Sequence, residues 1–228
     1  MRKAILVAVA MLAFVAAPVA AGPVDITSIS GVWNNPVGGS GYTGVGTSSI
    51  TWGGGPGVGS GYDFVAGADI APAPINVLLP LGTFTHHNNP IAAGSAITAV
   101  DLLFGFGTNG LPATVSATFN FNHNETPNAL PCPAGSSTVC DDYVTIVQPI
   151  VNQLITAGPD HYYFNMVGFS KDGGLTYSNV FQSPEGGSNS AELYGRLGTQ
   201  PDAIPEPATL LLFGSGLLAA GIRRRTRR

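Results

Sequence analysis

The sequence predicts an all-β fold, a single β-sandwich or jelly-roll domain, flanked by an N-terminal signal segment and a C-terminal apolar helix. Short runs rich in Val, Ile, Phe, Tyr and Thr recur along the body between Gly- and Pro-rich stretches, a pattern typical of strands joined by turns. No part of the body combines ten or more helix formers with a period near 3.6 residues. The body of about 180 residues is long enough for one domain with a sizeable core.

Residues 1–21 predict a cleavable secretory signal peptide. Arg2 and Lys3 form a positive start, residues 4–15 are apolar, and residues 19–21 are small enough for a signal peptidase. The apolar stretch is shorter than the roughly 20 residues that a membrane-spanning helix needs, which disfavours the alternative of a permanent anchor. We therefore expect an exported chain that begins near Gly22.

The strand-like runs follow one another through the body, residues 22–199. In its first half the predicted strands are Ile26 to Trp33, Thr47 to Trp52, Tyr62 to Val65, Ile75 to Leu79 and Leu81 to His86. In its second half they are Ala96 to Phe106, Ala113 to Asn122, Tyr143 to Val147, His161 to Phe169 and Glu192 to Leu197. Apolar and polar residues alternate in the run 113–122, which predicts one buried and one wet face. The one helical element that the sequence of the body allows is a turn over 150–155.

Positive charge is concentrated at the two ends of the chain. Of nine Lys and Arg, two lie in the signal segment and five in the last six residues, which leaves Lys171 and Arg196 between them. Residues 22–204 carry twelve acidic side chains, so two cations leave them with a net charge of −10. Such a body cannot neutralise a row of phosphates, which excludes nucleic-acid binding. We attribute the acidic excess to solubility rather than to a specific cation site.

Cys132 and Cys140 are the two cysteines of the chain. In an exported protein two cysteines at this spacing predict a disulfide that closes a surface loop. The alternative of a zinc site would need further ligands at a set spacing, and His123 is the one nearby histidine.

The C-terminus has three parts, a Pro205-Glu206-Pro207 tripeptide, an apolar run over 208–222, and an Arg-rich end over 223–228. As a helix the apolar run reaches about 22 Å, so a minimal membrane span needs a few preceding residues. The arginines would hold the end on the cytoplasmic side, with the body outside. The two prolines keep the tripeptide extended and open to a protease. Residues 200–204 form a short linker.

This tripartite tail, residues 205–228, resembles the PEP-CTERM sorting signal of exported proteins in Gram-negative bacteria that make extracellular polysaccharide. The resemblance implies that a membrane exosortase recognises Pro205, Glu206 and Pro207 and that the tail is removed. It also implies export through the Sec machinery, transient anchoring in the inner membrane, and a final location at the cell surface or outside the cell. A permanent single-span anchor is the alternative.

The segment around Thr85, His86 and Asn88 concentrates residue types that bind metals or transfer protons. His86 and His87 are adjacent, so on a strand they face opposite sides and cannot both ligate one ion without a bend. We favour a hydrogen-bonding structural role over metal binding or catalysis. The segment resembles the Thr-His-x-Asn signature of the THxN family of PEP-CTERM proteins, related to choice-of-anchor domains. That resemblance implies no established enzymatic activity.

A second motif, formed by Ser170, Asp172, Gly174 and Thr176, resembles the Asp-box turn of sialidase-like propellers. In that setting the carboxylate caps turn amides and the glycine supplies a positive φ, so we predict a tight structural hairpin. A sialidase would need a cluster of arginines, and the exported body offers Arg196 alone.

Sequence alone does not determine the distances between the remaining acids, which are Asp141, Asp142, Asp160, Glu185 and Glu192. A glycosidase would need two carboxylates about 5 to 9 Å apart. Calcium would need six or more oxygens, and no dense Asp-x-Asp-x-Asp-Gly loop is present. There is also no nucleophile elbow, phosphate loop or His-Glu-x-x-His helix. We therefore predict no cofactor and no metal site, with calcium the one ion left open.

The sequence favours a non-enzymatic exported cell-surface or matrix protein, sorted by an exosortase and associated with exopolysaccharide or biofilm. One alternative is a secreted carbohydrate-binding or carbohydrate-active β-sandwich protein, because jelly rolls often present a concave sugar-binding face. Another is a small metal-binding module built around His86, His87, His123 or His161.

Overall fold

The computed structural model describes residues 24–54, 58–108, 115–137, 140–157 and 160–202. Within these ranges the chain is built of β-strands without a helix, and the predicted all-β sandwich is confirmed. No helix in the described ranges is long and apolar enough to cross a membrane. The predicted signal peptide, 1–21, and the predicted sorting segment, 205–228, lie outside the described residues.

Twelve strands form two six-stranded sheets. They are β1 (Val24–Gly38), β2 (Ser49–Trp52), β3 (Ser60–Ala66), β4 (Ile70–Ala73), β5 (Leu78–Asn88), β6 (Ile97–Gly107), β7 (Val115–Asn124), β8 (Asp142–Ile146), β9 (Gln153–Ala157), β10 (Asp160–Ser170), β11 (Val180–Ser183) and β12 (Gly187–Gly198). Sheet A has the order β11-β8-β7-β6-β1-β4, and sheet B has the order β2-β3-β5-β12-β10-β9. The strand pairs are antiparallel, so each sheet can bury one face and expose the other.

The inner faces follow the alternation of the sequence. Along β7, Ala117, Phe119, Phe121 and His123 are buried while the residues between them are polar and more exposed. This is the pattern predicted for that run, and it fixes the register because a slip of one residue would turn the phenylalanines to solvent.

Aromatic side chains fill the space between the sheets. Trp33 of sheet A lies 5.3 Å from Tyr62 and 6.0 Å from Phe84, ring centre to ring centre, and both of those rings belong to sheet B. Farther along the core, Phe104 and Phe164 stack at 5.5 Å across the same gap. Buried rings of this size each remove 150–250 Å² or so from water, which makes them the main apolar contribution to the fold.

The structure joins two strands that the sequence had separated at Pro80. We predicted strands over 75–79 and 81–86, whereas β5 runs unbroken from Leu78 to Asn88. The register against β12 shifts between Leu193 and Tyr194, next to Pro80. A β-bulge is one of the few places where a strand tolerates the missing amide of a proline.

Three short strands were not predicted, namely β4, β9 and β11. Each lies at the edge of its sheet, where pairing with a neighbour rather than a strong local pattern makes the strand. The helical turn considered over 150–155 was wrong, because Gln153 to Ile155 belong to β9 and pair with Tyr162 to Phe164 of β10.

The last described residue, Asp202, is hydrogen-bonded to the end of sheet B. Its Oδ2 lies 2.6 Å from Nη2 of Arg196 and accepts a hydrogen bond from Nδ2 of Asn165 at 2.9 Å. Its backbone pairs with Asn152, whose Nδ2 donates to the Asp202 carbonyl and whose Oδ1 accepts from the Asp202 amide. The first part of the predicted linker, 200–204, is therefore attached to the sandwich, and residues 203 and 204 lie outside the described ranges.

Candidate functional site

A cluster of buried ionisable side chains lies between the sheets, formed by His86, His123 and Asp142. His86 is on β5 of sheet B, while His123 and Asp142 are on β7 and β8 of sheet A. Their side-chain ligand atoms lie within 4.8 Å of one another. His86 and Asp142 are fully buried, and His123 is 5% exposed. We refer to these three residues as the histidine cluster.

Strand alternation places each member of the histidine cluster inward. On β5, His86 is buried on the same side as Phe84 and Asn88, and His87 is on the opposite side. The prediction that the two adjacent histidines face opposite ways is thus confirmed. On β7, His123 continues the buried row that contains Phe121. Two histidines that are 37 positions apart in sequence meet because their strands lie in facing sheets.

Ser183 of β11 connects the first histidine to the opposite sheet. Its Oγ lies 2.8 Å from Nδ1 of His86, and its carbonyl accepts a hydrogen bond from Nδ2 of Asn88 at 3.1 Å. The other ring nitrogen of His86, Nε2, is buried and has no hydrogen-bond partner among the described residues. His86 and Asn88 therefore join β5 to β11, while Thr85 lies on the outer face with its Oγ1 2.8 Å from Oγ of Ser190.

The second histidine has partners at both ring nitrogens. Nδ1 of His123 lies 2.6 Å from the Tyr62 hydroxyl, and Nε2 lies 3.2 Å from Oε2 of Glu125. The same Nε2 is 3.9 Å from Oδ2 of Asp142. The Trp52 ring lies 5.3 Å from the His123 ring and 6.1 Å from the His86 ring, so aromatic side chains form one wall of the site.

Asp142 accepts hydrogen bonds through one of its two carboxyl oxygens. Oδ1 accepts a hydrogen bond from the Thr126 amide at 2.9 Å, whereas the buried Oδ2 has no hydrogen-bond partner in the described part of the chain. A buried polar atom left without a partner costs about 1–3 kcal/mol. The unpartnered atoms of His86 and Asp142 therefore destabilise this end of the core, as do Nε1 of Trp52 and Oδ1 of Asn88.

Burial and like charges shift the pKa values in the cluster. The pKa of Asp142 is raised to about 7 by burial and by the nearby carboxylates of Glu125 and Glu185. Hydrogen bonds from Thr126 lower this pKa but do not offset the increase. The pKa of His86 lies well below its usual value because of burial and the neighbouring His123 and His87. His86 is thus neutral at physiological pH, which leaves a nitrogen lone pair available.

A surface cavity lies beside the second histidine, whose side chain is itself fully buried. A cavity of about 510 Å³ is lined by Ile91, Ile97, Thr98, His123, Glu125 and Asn128, among other residues. His123 and Glu125 are therefore the members of this region that face both the cluster and the cavity.

The outer face of sheet B carries a separate row of polar contacts. Nε2 of His87 lies 2.6 Å from Oδ2 of Asp63, and its Nδ1 lies 2.7 Å from Oγ of Ser188. Serine hydrolases hold the Asp at Nδ1 and the Ser at Nε2, so the order here is reversed. We interpret the row as cross-strand pairing, since Ser188 and His87 are direct partners between β12 and β5.

The motif at Ser170, Asp172, Gly174 and Thr176 forms a turn closed by its own side chains. The Gly174 amide donates to Oγ of Ser170 at 2.8 Å, and the Thr176 amide and hydroxyl donate to the Asp172 carboxylate at 2.9 and 2.6 Å. Gly174 has a φ of +85°, which favours glycine. The contacts are those that a structural turn requires, and they lie outside the histidine cluster.

The other candidate residues fall in separate places. Cys132 and Cys140 form the predicted disulfide, which is confirmed, in the loop that leads into β8. Asp141 accepts from the Ser137 amide and is not part of the histidine cluster. His161 is on β10, with its Nδ1 3.4 Å from Oγ1 of Thr156.

Sequence reasoning included His86 and His123 in a metal-binding alternative, but it missed the convergence of Asp142, Tyr62 and Ser183 on them. The inward alternation of β7 was a signal for His123. The placement of Asp142 and Ser183 depends on the pairing of β8 with β11, where these two residues are direct partners. Local sequence carries no signal for that pairing.

Fold and site together define a disulfide-containing β-sandwich with a buried histidine and carboxylate cluster at the sheet interface. A family model, the PEP-CTERM protein-sorting motif, matches residues 203–225, immediately after the last described residue. The chain therefore carries a PEP-CTERM sorting signal. This signal indicates an exported protein that is held at the membrane before processing, with an exosortase as the processing partner. No curated protein matches the chain.

Proposed function

We propose that this protein is a non-enzymatic surface or matrix component, released from its membrane segment by an exosortase and retained in extracellular polysaccharide. The observation that carries the proposal is the sorting motif at 203–225, which follows directly on a sandwich attached up to Asp202. Since the match leaves the whole sandwich on its N-terminal side, removal of the tail delivers an intact domain.

The outer face of sheet B supports binding to a polysaccharide. Hydroxyl groups line a shallow groove of about 540 Å³ along β5 and β12, contributed by Thr83, Ser188 and Ser190, with Lys171 and Glu192 at its margin. Short hydroxyl side chains both donate and accept hydrogen bonds, as sugar hydroxyls do. The net charge of −10 over residues 22–204 disfavours an acidic polymer. We therefore expect a neutral polysaccharide.

The Thr85, His86 and Asn88 motif fits the same proposal as a structural element of the THxN group. His86 and Asn88 join the two sheets through Ser183, while Thr85 lies on the outer face beside Ser190. The motif would then fix the position of the outer hydroxyl row relative to the core.

Processing is tested by mass spectrometry of the C-terminus in cells with and without the exosortase. We expect residues 223–228 on the protein from exosortase-deficient cells and their absence from the protein of exosortase-positive cells. Persistence of the Arg-rich end in exosortase-positive cells would contradict processing and favour a permanent anchor. The signal peptide is tested in the same spectra, with an N-terminus expected near Gly22.

Polysaccharide binding is tested by co-sedimentation of the full chain with neutral and acidic polysaccharides. We expect a Ser188→Ala/Ser190→Ala variant to bind the neutral polymer at least about fivefold more weakly, a loss in the range of one or two hydrogen bonds. Thr118→Ala, on the exposed face of β7 in sheet A, serves as the matched control and should bind normally. Equal binding by all three proteins would exclude this face as the binding surface.

A carbohydrate-active enzyme is the second candidate, favoured by one observation. Glu125 lines the cavity beside His123, and Asp142 and Glu185 lie close enough to Glu125 to interact with its charge. A glycosidase requires such a carboxylate pair. The full chain, screened against a broad polysaccharide panel with and without calcium, would release sugars that Glu125→Gln does not. No turnover across the panel rejects this alternative.

A further inference from the structure

We propose that His86, His123 and Asp142 bind a single divalent transition-metal ion of the zinc class between the two sheets, with Glu125 beside the fourth ligand position. The inference is independent of what the outer face of sheet B binds. It rests on the donor set, on two orphaned buried atoms, on the local charge and on the groups that hold each ligand.

The donor set is two imidazole nitrogens and one carboxylate oxygen. Zinc accepts this combination at about 2.0–2.2 Å from each donor and leaves a further position open in catalytic-type sites. The ligand atoms here lie within 4.8 Å of one another. Binding of the ion would draw the farthest pair of ligand atoms together by up to about 1.4 Å, since tetrahedral zinc ligands at those bond lengths lie roughly 3.4 Å apart.

Two of the three ligands present an orphaned atom in the cluster. Among the described residues, Nε2 of His86 and Oδ2 of Asp142 are buried and have no hydrogen-bond partner. Both residues are fully buried. A cation placed between them satisfies both atoms at once, whereas buried polar groups in folded proteins are otherwise nearly always paired.

Each ligand is also held at its second polar atom. Ser183 Oγ lies 2.8 Å from Nδ1 of His86, and Tyr62 Oη lies 2.6 Å from Nδ1 of His123. The Thr126 amide donates to Oδ1 of Asp142 at 2.9 Å. Metal sites characteristically fix their ligands in this way through outer hydrogen bonds, which set the ring orientation and the tautomer. Nε2 of His86 and Oδ2 of Asp142 are then left for the metal, and Nε2 of His123 would exchange its 3.2 Å contact with Oε2 of Glu125 for it.

Acidic side chains are concentrated around the cluster. The carboxylates of Glu125 and Glu185 lie near that of Asp142. In the described ranges the Lys and Arg side chains are elsewhere, since Arg196 pairs with Asp202 and Lys171 donates to the Gln182 carbonyl. A divalent ion would offset these acids, and a cavity lined by His123 and Glu125 lies next to the proposed position.

The competing occupant is a water molecule, which can bridge two to four buried polar groups. A water would satisfy the same orphaned atoms but would not depend on added metal or resist a chelator. Metal content and metal titration therefore separate the two occupants.

The test uses the full chain, exported, with its disulfide intact, purified in mild detergent through a tag without histidine. After treatment with a chelator, the protein is titrated with Zn²⁺ and, in parallel, with Co²⁺. We expect one ion per chain by calorimetry and a melting temperature that rises with Zn²⁺ concentration. Co²⁺ should give the visible bands of a nitrogen and oxygen site and quench Trp52, whose ring is 5.3 Å from that of His123.

Two ligand variants, His86→Gln and Asp142→Asn, should bind Zn²⁺ at least about 100-fold more weakly. Loss of an outer hydrogen bond alone weakens metal binding by about 10- to 100-fold, and loss of a ligand should weaken it more. Asp142→Asn keeps the shape of the side chain, so it retains the fold if His86→Gln does not. His87→Gln and His161→Gln are the matched controls and should bind as the unchanged protein does. Circular dichroism of each metal-free variant checks folding.

A third variant, Tyr62→Phe, leaves all three ligands in place and removes the hydroxyl beside His123. We expect Zn²⁺ binding to weaken by about 10- to 100-fold. The proposal is overturned if neither Zn²⁺ nor Co²⁺ shows saturable binding, or if His86→Gln and Asp142→Asn bind as tightly as the unchanged protein.

Discussion

Asp172 shows how one exposed side chain organises a turn. Its two carboxyl oxygens accept hydrogen bonds from the amide and hydroxyl of Thr176 and from the Ser170 hydroxyl. All of these donors favour the ionised carboxylate, so they lower its pKa to about 2, with the Thr176 hydroxyl as the largest cause. The turn is therefore linked to the charge state of this residue.

This linkage predicts a pH dependence with a definite sign. Because the folded pKa lies below the ordinary value of an aspartate, the stabilisation is complete above about pH 4. It is lost as pH falls through about 2. An NMR titration of the Asp172 carboxyl carbon should show this midpoint, and hydrogen exchange of the Thr176 amide should accelerate over the same range. Titration of Asp172 near pH 4 would contradict the proposed contacts, and Asp172→Asn provides the non-titrating control.

At the level of single strands, Gly31 shows how closely the sheets approach. It is buried in the middle of β1, and a Cβ built on it would lie 2.6 Å from Cδ1 of Phe64 in sheet B and 3.0 Å from Cδ1 of Leu102. Real Cβ atoms do not approach so closely, so the glycine is required by the packing of the two sheets at this point.

Gly31→Ala should therefore lower the free energy of unfolding by about 1–3 kcal/mol through overpacking. Gly54→Ala is the matched control, because a Cβ there meets no atom within 4 Å, and its effect should stay within about 0.5 kcal/mol. Urea denaturation of the full chain in detergent measures both. Equal stability of the two variants would show that Phe64 can move aside.

The long strands could be predicted from the sequence, and the edge strands could not. β6, β7 and β10 carry strong alternation or β-prone residues that mark them without tertiary information. β4 and β11 have four residues each, and β4 contains Pro72, so nothing local distinguishes them from loops. They are strands because β1 and β8 present an edge for pairing.

The histidine cluster was predictable only in part for the same reason. The inward direction of His86 and the outward direction of His87 follow from strand alternation. The meeting of His86 with Asp142 depends instead on how two sheets face each other, which no local pattern encodes. The hydrogen bonds of Ser183 to both His86 and Asn88 span 97 and 95 positions of sequence.

At the scale of the whole molecule, one aromatic cluster joins the two sheets. Phe84 of β5 lies 5.0–6.0 Å, ring centre to ring centre, from five other aromatic side chains on strands of both sheets, namely Trp33, Tyr62, Phe121, Phe169 and Phe181. Its side chain is fully buried. Removal of the ring leaves a cavity in contact with both sheets.

Phe84→Ala should accordingly cost about 3–5 kcal/mol of stability, as burial of a full aromatic ring is lost and a cavity remains. Leu175→Ala removes an apolar side chain that is 86% exposed, and it should change the stability by no more than about 0.5 kcal/mol. Thermal or urea unfolding compares the two. A loss below about 1 kcal/mol for Phe84→Ala would mean that the surrounding rings collapse into the space.

The contacts of Asp202 give a further prediction for the molecule as a whole. Asp202→Ala removes an ion pair with Arg196 and a hydrogen bond from Asn165. The two side chains of the ion pair are each about a third exposed. We expect a loss of roughly 1–2 kcal/mol, reduced by solvent screening, and faster hydrogen exchange at the amides of residues 200–202. Gln200→Ala, an exposed neighbour, is the control and should leave both unchanged.

The same attachment limits the distance between the domain and the sorting tripeptide. A fully extended chain from Asp202 spans at most about 11 Å to Pro205, so the sorting tripeptide stays within that distance of the end of sheet B that carries Arg196. Along β12, Arg196 is seven residues from Asn189, the partner of His86, a distance of about 23 Å. The histidine cluster therefore lies at the opposite end of β12 from the place where the chain leaves the sandwich towards the sorting segment, so cleavage of that segment takes place far from the cluster.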